Sequence, residues 1–99
     1  MTKIDKESIM NRAINIYGSL LQETVAMEEM AELIKEISKN IRGANNRKQL
    51  LEELADVNIM LKEIQMIHNI SYEELEKEVV FKLVRLNNRL NEAEHKSEE

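Results

Sequence analysis

The chain reads as an all-α fold of four helices. Proline is absent, and only two glycines interrupt 99 residues. Glu, Lys and Leu, which lose little rotamer freedom in a helix, are abundant. Apolar residues recur at three- and four-residue spacing in four separate stretches. The length suits a single domain, 1–99, with a modest core. Tyr17, Tyr72 and Phe81 are the only aromatics, so aliphatic and Met side chains must build that core.

The first helix is expected from about Asp5 to Tyr17, with Ile9, Met10, Ala13, Ile14 and Tyr17 on its apolar side. Gly18 stops or kinks it. The second runs from Leu20 to about Ile41, with an apolar stripe of Ala26, Met27, Met30, Leu33, Ile34, Ile37 and Ile41. Gly43 suits the position just past its end. Asn46 is the expected N-cap of a third helix, with Gln49 three residues on completing a capping box, and that helix reaches about Ile67.

The third helix carries two apolar faces. Leu50, Leu54, Val57, Leu61 and Ile64 form one, and Leu51, Ala55, Ile59 and Met66 the other. A helix of that kind is central or lies at an interface, which predicts an oligomer, a homodimer or homotetramer. Ser71-Tyr72-Glu73-Glu74 is a capping box opening the fourth helix, striped by Tyr72, Leu75, Val79, Leu83, Leu86 and Leu90. Lys82, Arg85 and Arg89 share one flank of it. The tail from Ala93 to Glu99 is polar and expected to fray.

Charge and composition narrow the function. A net charge of −5 disfavours binding to a nucleic acid polymer. Without cysteine there is neither a disulfide framework nor a thiolate metal site. No apolar run approaches the roughly 20 residues of a membrane span, and no apolar signal region follows the N-terminus, so a cytoplasmic protein is expected. His68 reads as a helix-end residue near the negative dipole end.

The chemistry-bearing stretch is Glu28-Glu29-Met30-Ala31-Glu32 on the second helix and Glu53-Leu54-Ala55-Asp56 on the third. Acidic side chains three apart share a helix face. Two such pairs on neighbouring helices converge into four or five carboxylates, which repel one another and gain proton affinity unless a cation intervenes. Glu29, Glu32 and Glu36 border the apolar stripe, and Glu53 falls among Val57, Met60 and Ile64. Carboxylates so placed are costly without a ligand, and a hard divalent ion such as Mg²⁺ prefers oxygen donors. With basic residues on a further helix, the set suits phosphate chemistry. A di-iron site needs Glu-x-x-His pairs, which the chain lacks.

Glu28-Glu29-x-x-Glu32 followed by Glu53-x-x-Asp56 resembles the E-E-x-x-E and E-x-x-D motifs of the MazG-like, all-α nucleoside triphosphate pyrophosphohydrolases. Ile16-Tyr17-Gly18, Gln22, Glu28-Glu29-Met30-Ala31-Glu32-Leu33 and Glu53-Leu54-Ala55-Asp56-Val57 look like the small stand-alone and phage-type members. The similarity spans about Ala13 to Arg89. It implies a four-helix bundle-like MazG fold that hydrolyses an NTP or dNTP to monophosphate and pyrophosphate, with Mg²⁺ or Mn²⁺ as its substitute.

Carried over by position, the resemblance makes Glu29, Glu32, Glu53 and Asp56 the metal ligands, with Glu28 a further ligand or the group orienting water. It also sets Gln22 near the base and Lys82 and Arg85 near the phosphates. Lys82-Leu83-x-Arg85 departs from the family's K-F-x-R by Leu for Phe. The superfamily includes dUTPases, dCTPases and phosphoribosyl-ATP pyrophosphohydrolases, and the sequence does not choose among them. The competing expectation is a non-catalytic helical oligomerisation module.

Overall fold

The computed structural model describes residues 4–97. Four helices are present among them: α1 (Lys6–Tyr17), α2 (Ser19–Ile41), α3 (Arg47–Ile67) and α4 (Tyr72–Ser97). The chain divides into two compact units, Met1–Asn69 and Ile70–Glu99. No described helix is long and apolar enough to cross a membrane.

Local chemistry sets the helix ends. The Asp5 carboxylate accepts a hydrogen bond from the Ser8 amide at 3.1 Å, satisfying one of the free donors that open α1. Gly18 closes α1 through its N–H to the Ile14 carbonyl at 2.9 Å, and its φ of 87° is one that L side chains rarely adopt. After α2 the chain makes a Schellman motif. The Ala44 amide reaches the Lys39 carbonyl and the Gly43 amide the Asn40 carbonyl, each at 3.0 Å, with Gly43 at φ 98°.

In the first unit α2 and α3 form an antiparallel hairpin, with α1 packed against both. Three contacts fix its register. Glu36 meets Asn46 near the connection, Glu29 meets Glu53 and Asp56 midway, and Glu23 meets His68 at the far end. The buried apolar residues among those described are few: Met10, Ala26, Val57 and Met60.

Several expectations change. Asn46 directs no side-chain bond to the first turn of α3, so the capping box with Gln49 does not form. Its amide is buried and engaged with α2 instead. The packed line of α3 is Leu50, Glu53, Val57, Met60, Ile64 and Ile67, whereas Leu54 and Leu61 are exposed. That alternation of three and four is the repeat by which two helices keep a common seam. The α2 stripe also splits. Ala26 is buried and Met30 and Leu33 are half-buried, but Met27, Ile34, Ile37 and Ile41 are exposed.

The second unit is the helix α4. The Ser71 hydroxyl accepts from the Glu74 amide at 3.0 Å, as the Ser-x-x-Glu signature predicts. Every residue from Tyr72 to Lys96 is exposed, including the apolar stripe. The expected polar tail from Ala93 is helical as far as Ser97, with His95 and Lys96 in the last turn where cations favour the dipole. Glu98 and Glu99, also part of that tail, lie outside the described residues.

Candidate metal centre

The hairpin register decides which carboxylates meet. Glu53 and Asp56 sit three apart on α3 and therefore share a face. Glu29 comes from the facing stretch of α2. One carboxylate oxygen from each of these three lies within 4.8 Å of the others. Glu29 and Glu53 are half-buried, and Asp56 is exposed.

This arrangement is electrostatically costly. Burial raises the Glu29 pKa first, and the charges of Asp56 and then Glu53 raise it further. Burial likewise leads for Glu53, followed by the charges of Asp56, Glu32 and Glu36, while a hydrogen bond with Glu29 acts in the opposite direction. One Glu53 oxygen, Oε2, is buried without a hydrogen-bond partner. A buried acceptor in that state loses its hydration with nothing in return.

The three oxygens fit a hard cation. Bonds of about 2.0–2.6 Å place ligand oxygens up to roughly 4–5 Å apart across one ion, which is the spread seen here. A divalent ion there would replace the like-charge repulsion that raises both glutamate pKa values.

The remaining expected site residues are distributed as follows. Glu32 is exposed beside the triad and acts on Glu53 through its charge. Glu28 is exposed on α2 and lies outside the group of three. Gln22 is buried, with 7% of its surface accessible. Lys82 and Arg85 belong to α4. There Lys82 Nζ pairs with Glu78 Oε1 at 3.9 Å, and the Arg85 guanidinium lies 6.0 Å from the Phe81 ring centre. His68 closes α3 and places Nε2 2.9 Å from Glu23 Oε1, a partner that the sequence reading did not supply.

Two features escaped sequence reasoning. Glu36 is buried and held by Asn46, whose amide nitrogen donates to the Glu36 carbonyl at 2.8 Å and to its carboxylate at 3.3 Å. The Asn46 oxygen in turn accepts from Asn40 at 3.2 Å, and Lys39 sits 3.5 Å from the other Glu36 oxygen. Glu63 is 3% exposed on α3, with an unpartnered oxygen and a pKa raised by burial. Its spacing of three from Met60 on the packed line was the available signal.

No protein-family model, curated protein or solved structure matches the chain.

Proposed function

We propose that the chain is a Mg²⁺-dependent nucleoside triphosphate pyrophosphohydrolase of the MazG-like type. The observation that carries the reading is the triad of Glu29, Glu53 and Asp56, in which Glu53 has one carboxylate oxygen buried without a hydrogen-bond partner. Structural acidic faces are normally solvated, and a half-buried carboxylate with an unpartnered oxygen set against two further carboxylates favours a cation between them. Glu29, Glu53 and Asp56 hold the ion in this reading, with Glu32 next to them. When bound, Mg²⁺ supplies charge neutralisation on phosphate oxygens and acidifies a coordinated water.

The protein's own groups do the rest. Glu28, exposed on α2 one residue before Glu29, is a further ligand or orients the attacking water. The half-buried wall around Glu29 and Glu53 reduces solvent screening and strengthens each electrostatic contact. For Lys82 and Arg85 as phosphate-binding cations, the support is their shared flank on α4 and the resemblance of Lys82-Leu83-x-Arg85 to the family's K-F-x-R. The products are a nucleoside monophosphate and pyrophosphate.

The uncovered apolar surface favours a second reading, a helical interaction module whose acids only solubilise it. A panel of NTPs and dNTPs, assayed for pyrophosphate release with and without Mg²⁺, separates the two. Metal-dependent release from at least one nucleotide, lost in Asp56→Asn, supports the hydrolase. No release from any of them, with no thermal response to Mg²⁺, supports the module.

A further inference from the structure

The seam between α2 and α3 is polar on two consecutive layers. Glu36 follows Glu29 by seven residues, and Asn46 precedes Glu53 by seven. The pair Glu36 and Asn46 therefore lies next along the hairpin from the carboxylate triad, about 10 Å away along the helix axes. Side chains lean toward the N-terminus of their own helix. In an antiparallel pair this tilts Glu36 toward the triad and Glu53 toward Glu36.

Glu36 is a fixed charge, 7% exposed. Asn46 Nδ2 donates to its Oε2 at 3.3 Å, and Asn40 Nδ2 donates to Asn46 Oδ1 at 3.2 Å, so both ends of the Asn46 amide are engaged. Lys39 Nζ stands 3.5 Å from Oε1, but the lysine side chain is 41% exposed against 10% for the glutamate. Water screens the ammonium more than the carboxylate, so the pair keeps a negative field on its buried side. That field reaches the triad: after burial, the charges acting on Glu53 are those of Asp56, Glu32 and Glu36. Glu32 and Glu36 both stand outside the group of three, and of these two only Glu36 is buried. The clamp does not need this charge. A glutamine at position 36 would accept the same bond from Asn46 and would need no lysine beside it.

We propose that Glu36 is a positioning residue of the metal centre, its clamped carboxylate strengthening the triad's hold on a divalent cation without ligating it. The inference rests on the proposed metal centre and adds a residue that neither the paired acidic motifs nor the group of three contains. Groups beyond the ligands tune a metal's affinity through charge and orientation. Asn46 holds Glu36 in place behind Glu53, and Lys39 sets how much of its charge the site feels.

Mn²⁺ alone is the probe, with the free ion counted by electron paramagnetic resonance at pH 8 and helical circular dichroism monitored alongside. Glu36→Gln keeps the Asn46 bond and removes the charge. It is expected to weaken Mn²⁺ binding roughly three- to tenfold, as for one partly screened unit charge at that separation. Lys39→Gln removes the counter-charge and is expected to strengthen binding roughly twofold. A purely structural network would lower the melting temperature of both variants and leave the dissociation constant unmoved, and that result overturns the inference. So does a shift of the same sign in both. If Glu36→Gln fails to fold, the sign of the Lys39→Gln shift decides. A parent that binds no Mn²⁺, or a Glu53→Gln variant that binds it as the parent does, removes the triad and this inference together. Binding that needs Glu53 and ignores Glu36 and Lys39 removes this inference alone.

Discussion

Asn46 grips Glu36 twice, through the backbone carbonyl at 2.8 Å and through the carboxylate at 3.3 Å. The residue entering α3 is thereby fastened to the last third of α2, and the register of the hairpin starts from that clamp. Asn46→Ala leaves a buried carbonyl and carboxylate without their donor, which costs about 1–3 kcal/mol. Asn46→Asp should cost more, because it places a carboxylate against Glu36. Urea denaturation at neutral pH measures both losses. Equal stability of the parent and Asn46→Ala refutes the clamp.

Glu63 supplies a pH dependence of known sign. Burial raises its folded pKa above the ordinary Glu value of about 4.3. The folded chain therefore binds the Glu63 proton more tightly than the unfolded chain does. That stabilisation is fully present below the unfolded value and is lost as pH rises through the raised folded value. Glu63→Gln removes the titration while keeping the shape. It is expected to melt higher than the parent at pH 7, with the advantage shrinking to nothing below about pH 4. A constant difference between the two across that range would falsify the assignment.

Much of this was legible in the sequence because helix period and terminus chemistry are local. Glu53 and Asp56 share a face by spacing alone, and Ser71 and Gly43 mark helix ends by side-chain and backbone geometry. Which face of α2 meets α3 was not legible. Met27 and Ile34 are more apolar than Glu29 and Glu36, so hydrophobic patterning favours the wrong pair as the inward one. Only tertiary register, with Asn46 reaching Glu36, shows that the hairpin seam takes the carboxylates and leaves the aliphatic stripe outside. Glu63 was hidden for the same reason, since an isolated glutamate on a helix usually faces water.

The bond broken by the proposed hydrolase has a direct readout. Attack at the α-phosphorus in ¹⁸O-water places the label in the nucleoside monophosphate and leaves pyrophosphate unlabelled. Attack at the γ-phosphorus would label orthophosphate and release the diphosphate. The γ route in P-loop enzymes uses a glycine-rich backbone cradle, whereas both glycines here terminate helices. Label in the monophosphate is the expected result, and mass spectrometry of the products decides it.

The carboxylate triad ties metal binding to protons. Glu29 and Glu53 both hold protons more tightly than ordinary glutamates, first through burial and then through neighbouring charge, with Asp56 leading for each. Without metal, the stability they contribute is present below the ordinary Glu value and declines as pH rises through their raised values. A divalent ion needs both carboxylates deprotonated and must displace those protons. Apparent Mg²⁺ affinity should therefore rise with pH across the same window in which metal-free stability falls. Calorimetric titrations in two buffers of different ionisation enthalpy should report proton release near the lower end of that window and little near pH 8. Glu53→Gln removes the orphaned carboxylate and part of the repulsion on Glu29. It is expected to be at least as stable as the parent without metal and to lose the Mg²⁺-induced rise in melting temperature. If Glu53→Gln keeps the parent's Mg²⁺ response, or if binding releases no protons at any pH, the ion lies elsewhere and the triad is not its site.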